Sequence, residues 1–292
     1  MPLSAVIQLE AIADAALDQF TGRGVHGFWF KQWKNVDSAF ADELHTATAS
    51  RDSLFTLSPL MGLPRPGRGG IVSLHAGTKV WFRFAALTET LADAARLKWL
   101  AGLGIGNEIE VPEERTNGTG TIPGVAWKVV GIAAGLAQSH EAHSFASQES
   151  YEELSHRHLM NPNPPRQWRL EFLTPTTFHG KQAHLPFPLP ESLVGSWLRR
   201  WQAFAPIALP EEELTQWARS NLAVSSYRLN TLPAREGDRL RVGCVGSLTL
   251  RALDMPPYLR AAVDLLAHYA FYCGSGAHTA QGLGQTQLTS SQ

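Results

Sequence analysis

The sequence predicts an α+β protein whose two halves share one order of elements, β-α-β-β-α-β. Three observations support this prediction. The spacing of apolar residues indicates that order once before residue 139 and again after residue 165. In each half the second helix is followed by Gly-x-Gly and then by a strand. A length of 292 residues also suits two domains of about 140 residues each. Because this order is that of the split βαβ unit, we expect two tandem ferredoxin-like (RRM-like) domains.

The N-terminal half contains strands of alternating polarity and two helical regions. In chain order the predicted elements are strand 5–9, helix 24–46, strands 54–60, 71–74 and 78–87, helix 88–100, and strands 107–111 and 125–133. The helical region is expected to break near Asn35, with Asp37 as the N-cap of its second piece. Strands 71–74 and 78–87 are expected to pair as a hairpin around Ala76 and Gly77.

The C-terminal half repeats the order after a polar, His-rich stretch. In chain order its predicted elements are strand 167–173, helices 190–204 and 210–218, strands 224–232 and 240–250, helix 257–272 and strand 283–288. The stretch 139–165 ends in Asn-Pro-Asn-Pro-Pro, which is typical of a linker. We therefore predict an N-terminal domain at 1–145 and a C-terminal domain at 160–292.

The composition predicts a folded protein of a reducing, cytoplasmic compartment. Hydrophobic residues make up 44% of the chain and include nine Trp, which is enough to form a core. No apolar run is long enough for a membrane span, and the first residues lack the basic region of a secretory signal. Two cysteines imply no disulfide framework. A net charge of −1 does not indicate the positively charged surface that is typical of nucleic-acid-binding proteins. Residues 65–88, however, include four basic residues and no acidic one.

The segment CGSGAHTAQGLG, from Cys273 to Gly284, is the most distinctive of the chain. It lacks Gly-Lys-Ser/Thr, so it is not a P-loop. It follows a helix and precedes a strand, which is the reverse of a dinucleotide-binding fingerprint. Two interpretations remain open. The segment is either a helix C-cap with a flexible turn, or a loop that brings backbone N–H groups close to a phosphate.

Two separate motifs resemble one known family. The segment GSGAHTAQGLGQ resembles the C-terminal glycine-rich loop of the RAMP superfamily of CRISPR proteins, and most closely that of the repeat-processing endoribonucleases. DSAFADELH, ending at His45, and FTLS, starting at Phe55, resemble that family's signature of a helix, Leu-His, a short loop and Phe-Thr-x-Ser. Family members often carry a Tyr on the first helix and a Lys after Leu-His, where this chain has Phe30 and Arg51.

The resemblance implies an enzyme that cleaves CRISPR repeat RNA, converting pre-crRNA to crRNA. It implies cleavage without metal or another cofactor, by attack of the RNA 2′-hydroxyl, leaving 2′,3′-cyclic phosphate and 5′-hydroxyl ends. The implied partner is repeat RNA, while association with CRISPR effector-complex subunits and a homodimer are left open. The alternative is a non-catalytic RAMP-type subunit that binds crRNA in an effector complex.

Such cleavage needs a base for the 2′-hydroxyl, an acid for the leaving 5′-oxygen and positive charge at the phosphate. Histidine suits the first two roles because its ordinary pKa is close to neutral pH. Arg23 and His26 are three residues apart and share a helix face, and a break near Asn35 would bring His45 back toward them. We predict His45 as base, His26 as acid and Arg23 as phosphate stabiliser, with the two histidine roles interchangeable.

The predicted RNA-binding residues are basic side chains near this set and the glycine-rich loop: Arg51, Lys31, Arg65, Arg68, Gly274, Gly276, His278, Gln281, Gly282 and Gly284. The motifs His140-x-x-His143 and His156-x-His158 fall in the predicted linker. Since no cysteine lies at zinc-like spacing from them, they favour a polar linker and no metal site is expected. Trp29, Trp33 and Trp168 could stack on RNA bases, but large aromatic residues at such spacing favour the core, where we expect them.

Overall fold

The computed structural model describes residues 1–48, 53–112, 124–135, 143–180, 183–236 and 239–292. Its helices are α1 Gly22–Val36, α2 Ser38–Thr48, α3 Glu89–Ala94, α4 Ala101–Leu103, α5 Tyr151–Leu159, α6 Pro190–Phe204, α7 Glu211–Asn221 and α8 Pro257–Cys273. A π-helical turn, Ala95–Leu100, joins α3 to α4. Its strands are β1 Leu3–Ala11, β2 Ala15–Asp18, β3 Phe55–Leu57, β4 Ile71–Leu74, β5 Lys79–Ala86, β6 Glu108–Val111, β7 Val125–Ala134, β8 Ser147–Gln148, β9 Gln167–Thr176, β10 Phe178–His179, β11 His184–Leu185, β12 Leu222–Glu236, β13 Arg239–Ala252 and β14 Thr286–Ser291.

The N-terminal sheet has the strand order β3-β5-β1-β7-β6, with β8 pairing the start of β1. Its central strand β1 is antiparallel to both neighbours, so Ile7 lies beside Phe82 on one side and Ile132 on the other. Helix α1 buries Trp29 and Trp33 completely against this sheet. The order β7-β1-β5-β3, with helices between β1 and β3 and between β5 and β7, is the split βαβ arrangement.

The C-terminal sheet has the order β12-β13-β9-β14, which is the same arrangement. Its core contains Trp168 of β9 and Trp197 of α6, both fully buried, together with most of α8. The predicted pair of ferredoxin-like domains is therefore confirmed. The three tryptophans predicted as core residues are all buried.

The break in the first helical region is confirmed. Helices α1 and α2 are separated at Asp37, whose carboxylate accepts a hydrogen bond of 3.0 Å from the Phe40 N–H. That bond satisfies one of the N–H groups left open in the first turn of α2. The new direction of the chain after Asp37 is what allows α2 to pack beside α1.

The predicted hairpin between 71–74 and 78–87 is wrong. Strand β4 pairs with β2, a strand that we did not predict, and β5 pairs with β1 and β3. The physical reason is that a strand has only two edges, and both edges of β5 are already occupied. Only the tight turn survives from the predicted hairpin, because the Thr78 N–H donates to the His75 carbonyl at 3.0 Å.

The predicted polar linker contains helix α5. Ser150 and Glu153 form a capping box at its start, and Tyr151 and Leu154 pack into the core of the C-terminal domain. The boundaries 1–145 and 160–292 stay a prediction. In the described ranges, no helix combines the length and apolarity needed to cross a membrane.

Candidate active site

The predicted catalytic residues lie on α1 and α2, which pack against each other. Arg23 and His26 lie on the first turns of α1, and His45 lies near the end of α2. Arg23 and His45 are exposed, whereas His26 is partly buried. The helix pair therefore carries two imidazoles and a guanidinium.

The ring of Phe30 contacts both histidines. Its ring centre is 4.9 Å from that of His26 and 5.6 Å from that of His45, and both contacts are edge-to-face. Phe55 also lies against His26, with ring centres 6.1 Å apart. Phe30 stands one helical turn after His26, so α1 itself sets the first contact. The structure thus brings His26 and His45 into contact with the same aromatic ring.

The glycine-rich loop of the C-terminal domain fixes the orientation of His26. Nδ1 of His26 lies 2.9 Å from the backbone carbonyl oxygen of Ala280. Because a carbonyl oxygen only accepts hydrogen bonds, Nδ1 must carry the proton. The other nitrogen, Nε2, is left with its lone pair for acid–base chemistry. Both domains therefore contribute to this site.

The pKa of His26 is below the ordinary histidine value. Burial is the largest cause, since it disfavours the charged imidazolium. The hydrogen bond to Ala280 opposes this effect, while the positive charges of Arg23 and His45 add to it. His26 is accordingly neutral at neutral pH.

The loop reaches His26 because two glycines let the backbones come very close. A Cβ on Gly22, the first residue of α1, would lie 2.1 Å from the Gln281 carbonyl oxygen. A Cβ on Gly282 would lie 2.7 Å from the Gly22 Cα, and Gly282 has a φ of 94°, which favours glycine. Sequence reasoning missed Gly22 and Ala280. The available signal was the pair of glycines on either side of Arg23, because glycine in the first turn of a helix suggests that another backbone segment comes close to the helix there.

Helix α6 holds the loop in place from inside the C-terminal domain. The buried Arg200 donates hydrogen bonds to the Gly276 carbonyl oxygen at 2.9 Å and to the Thr279 hydroxyl at 3.0 Å. Trp197 Nε1 donates to the Ser275 hydroxyl at 2.8 Å. The loop carrying Ala280 is therefore a packed structural element.

The predicted RNA-binding residues fall into three groups. The loop glycines Gly274, Gly276, Gly282 and Gly284 are buried, while His278 and Gln281 are partly exposed and in contact with each other at 3.2 Å. Lys31, Arg65 and Arg68 are exposed. Lys31 follows His26 by five residues, which places it about 140° further around α1 and off the His26 face. Arg51 lies outside the described residues.

Known proteins resemble the chain in both sequence and structure. The CRISPR Cas6 N-terminal domain matches residues 1–104, and the CRISPR-associated endoribonuclease Cas6 matches residues 170–286. A Cas6 solved as a product complex aligns with a TM-score of 0.71 and 25% identity over 99% of this chain and 100% of that chain. Thermus thermophilus Cas6 aligns with a TM-score of 0.70 and 25% identity, over 99% and 98% of the two chains.

More distant structures share the fold. A Cas6-related protein from Pyrococcus furiosus aligns with a TM-score of 0.60 and 11% identity over the full length of both chains. No curated protein sequence matched the chain. Because the two family matches span both domains and solved Cas6 structures align over nearly the whole length, the chain belongs to the Cas6 family of CRISPR-associated endoribonucleases.

Proposed function

We propose that this protein cleaves CRISPR repeat RNA within pre-crRNA, without metal, by attack of the RNA 2′-hydroxyl on the adjacent phosphate. The observation that carries the proposal is the pair His26 and His45, both in contact with the ring of Phe30, with Arg23 one turn before His26 on α1. Two imidazoles and a guanidinium are sufficient for this reaction. Related Cas6 proteins were solved in product and substrate-mimic complexes, which supports RNA as the substrate.

The reaction needs one proton to be removed and one to be delivered. The base takes the proton of the 2′-hydroxyl while O2′ bonds to phosphorus. The bond from phosphorus to O5′ breaks, and the acid gives its proton to O5′. The products are a 2′,3′-cyclic phosphate and a 5′-hydroxyl. Arg23 stabilises the negative charge on the phosphate oxygens during this exchange.

The structure favours His26 as the base and His45 as the acid, which is the reverse of the initial assignment. A base must be neutral before it acts, and the lowered pKa of His26 keeps it neutral at pH 7. Its Nδ1 donates to Ala280, so Nε2 is the nitrogen that accepts the 2′-hydroxyl proton. His45 is exposed at the end of α2, where it is free to give a proton to the leaving oxygen.

RNA binding by Lys31, Arg51, Arg65, Arg68 and the glycine-rich loop remains part of the proposal. The exposed side chains of Lys31, Arg65 and Arg68 offer phosphate contacts, and those contacts should weaken as salt rises. His278 and Gln281 are the loop side chains with accessible surface. Association with effector-complex subunits, dimerisation and a cytoplasmic location stay predictions.

Cleavage of repeat RNA in EDTA tests the proposed reaction. Wild-type protein should cut at one site, and a single 2′-deoxy substitution at that site should abolish cutting while binding persists. His26→Ala and His45→Ala should each slow cutting by about 10²- to 10⁴-fold with little loss of affinity. His75→Ala, on an exposed turn, is the matched control and should cut normally. Tight binding without any cutting would support the non-catalytic subunit instead.

A further inference from the structure

A group of basic side chains lies on the C-terminal domain beside the glycine-rich loop. It consists of His179 on β10, His184 on β11, Arg241 on β13 and His278 in the loop, and we call it the histidine–arginine cluster. His179 is exposed, and the other three residues are partly exposed. The cluster is therefore open to a ligand from solution through its exposed members.

His184 is the residue that the other members of the cluster contact. Its ring centre lies 4.9 Å from that of His179 and 5.4 Å from that of His278. His179 and His184 are paired across β10 and β11, so their side chains leave this hairpin on the same face. Arg241 Nη1 lies 3.0 Å from His184 Nε2. Because a guanidinium only donates hydrogen bonds, His184 Nε2 accepts, and this neutral imidazole holds the charge of Arg241 in place.

The backbone of His278 has a conformation that residues other than glycine rarely adopt. Its φ is 59°, and within the described residues it is the one residue besides glycine with a positive φ. Glycine would take this conformation without strain, as Gly276 and Gly282 of the same loop do. Strained backbone conformations cluster at functional sites. The strain at His278 therefore suggests a function for its imidazole, which packs against His184.

The glycine-rich loop connects the cluster to the candidate active site. On one side, the Ala277 N–H donates to the Thr177 carbonyl, next to β10, at 2.8 Å. On the other side, the Ala280 carbonyl accepts from His26 at 2.9 Å. His278 and Ala280 are two residues apart, so their Cα atoms are separated by at most about 7.6 Å. An RNA strand whose scissile phosphate lies at His26 therefore passes within a few nucleotides of the cluster.

We propose that the histidine–arginine cluster binds a backbone phosphate of the repeat RNA outside the cleavage site, an inference that rests on the proposed function. Arg241 supplies a permanent positive charge and a planar fork of N–H donors that fits two phosphate oxygens. The exposed imidazole of His179 adds a further donor. His184 and His278 are positioning residues that hold Arg241 from behind. A phosphate contact of this kind fixes the register of the RNA and reads no base.

RNA binding at several salt concentrations tests this inference. The probe is repeat RNA with a 2′-deoxy substitution at the cleavage site, which should bind without being cut. Arg241→Met should weaken binding about tenfold and reduce the salt dependence, the slope of log K against log salt, by about 0.7–0.9, the value for one phosphate contact. Arg241→Lys keeps the charge but not the fork, so it should restore the slope and only part of the affinity.

Arg219→Met provides the matched control. Arg219 is exposed on α7, so this variant removes the same charge elsewhere on the C-terminal domain and should bind the RNA like wild type. An equal loss of affinity in Arg219→Met and Arg241→Met would overturn the inference, because binding would then follow net charge alone. Wild-type affinity and slope in Arg241→Met would also overturn it.

Cleavage of unmodified repeat RNA separates this inference from the proposed function. Arg241→Met should raise the protein concentration for half-maximal cutting about tenfold, and should lower the maximal single-turnover rate far less than His26→Ala does. A maximal rate as low as that of His26→Ala would overturn the inference, because Arg241 would then act in the reaction itself. Normal cutting by wild type, with no effect of Arg241→Met, would overturn the phosphate site alone. A wild-type protein that neither binds nor cuts the RNA would overturn both proposals.

Discussion

Substitution of Gly22 by Ala tests the contact between the glycine-rich loop and the first helix. The new Cβ would lie 2.1 Å from the Gln281 carbonyl oxygen, so the backbone there must move by about 1 Å. Ala280 is the adjacent residue, and its carbonyl holds His26 Nδ1 at 2.9 Å. A shift of this size stretches the bond past hydrogen-bonding distance. Misplacement of about 1 Å near a reacting group costs roughly 10²-fold in rate.

Gly22→Ala should lower the free energy of unfolding, although replacing Gly by Ala within a helix normally raises it. Gly→Ala within a helix normally stabilises by about 0.5–1 kcal/mol, whereas forcing extra atoms into a packed contact costs about 1–3 kcal/mol. We therefore expect Gly22→Ala to be less stable in urea unfolding and to cut about 10- to 100-fold more slowly in single-turnover assays.

Gly27 provides the matched control on the same helix. It is exposed, and the nearest atom to an added Cβ is Pro112 Cγ at 3.9 Å, an ordinary contact. Gly27→Ala should cut like wild type and gain about 0.5–1 kcal/mol in stability. If Gly22→Ala is as fast and as stable as Gly27→Ala, the loop does not position His26 through this contact.

Three further predictions concern the site and its support. The specificity constant kcat/KM should fall in acid only below pH 6.5, because the proposed base His26 has a lowered pKa and must be neutral to act. His26→Ala should lose this acid limb, and an acid limb above pH 6.5 in the wild type would contradict the assignment. Arg200→Met removes two hydrogen bonds to the loop, so it should lower the free energy of unfolding by about 2–4 kcal/mol and slow RNA cleavage. An unchanged free energy of unfolding and an unchanged cleavage rate would show that other contacts hold the loop. Arg83→Met removes two contacts between the domains, a 2.6 Å hydrogen bond to the Phe271 carbonyl and a cation–π contact at 4.6 Å to the Phe271 ring. It should lower the free energy of unfolding in urea by about 1–3 kcal/mol. An unchanged free energy of unfolding would mean that Arg83 does not stabilise the interface between the domains.

The periodicity of apolar residues was sufficient to predict most elements of the fold. The order of strands and helices in both halves follows from local spacing, and the break before Asp37 from a cap residue. Pairing partners were harder to predict. The alternation of polar and apolar residues in β4 is compatible with pairing to either β5 or β2. Pairing with β5 is excluded only because β1 and β3 already occupy both edges of β5. Helix α5 was missed although Ser150-x-x-Glu153 is a capping-box signature.

The side chains of the candidate site could be named from the sequence, and their roles stay a prediction, whereas the backbone contacts around them could not be predicted. The two histidines and Arg23 were named from the resemblance and from the demands of RNA cleavage. The hydrogen-bond partner of His26 is a backbone carbonyl oxygen 254 residues away. Every residue has such a carbonyl, so the sequence does not indicate which one accepts the bond. The proposed roles of the histidines depend on burial, which only the folded chain reveals.

The most direct test of acid catalysis by His45 and base catalysis by His26 replaces the leaving O5′ of the repeat RNA by sulfur and measures single-turnover cleavage in EDTA. A thiolate leaves without protonation, so His45→Ala should recover nearly the wild-type rate on this substrate. His26→Ala should remain slow, because the 2′-hydroxyl still needs its base. Recovery of His26→Ala alone would reverse the two roles. Failure of both variants to recover would contradict acid catalysis by either histidine.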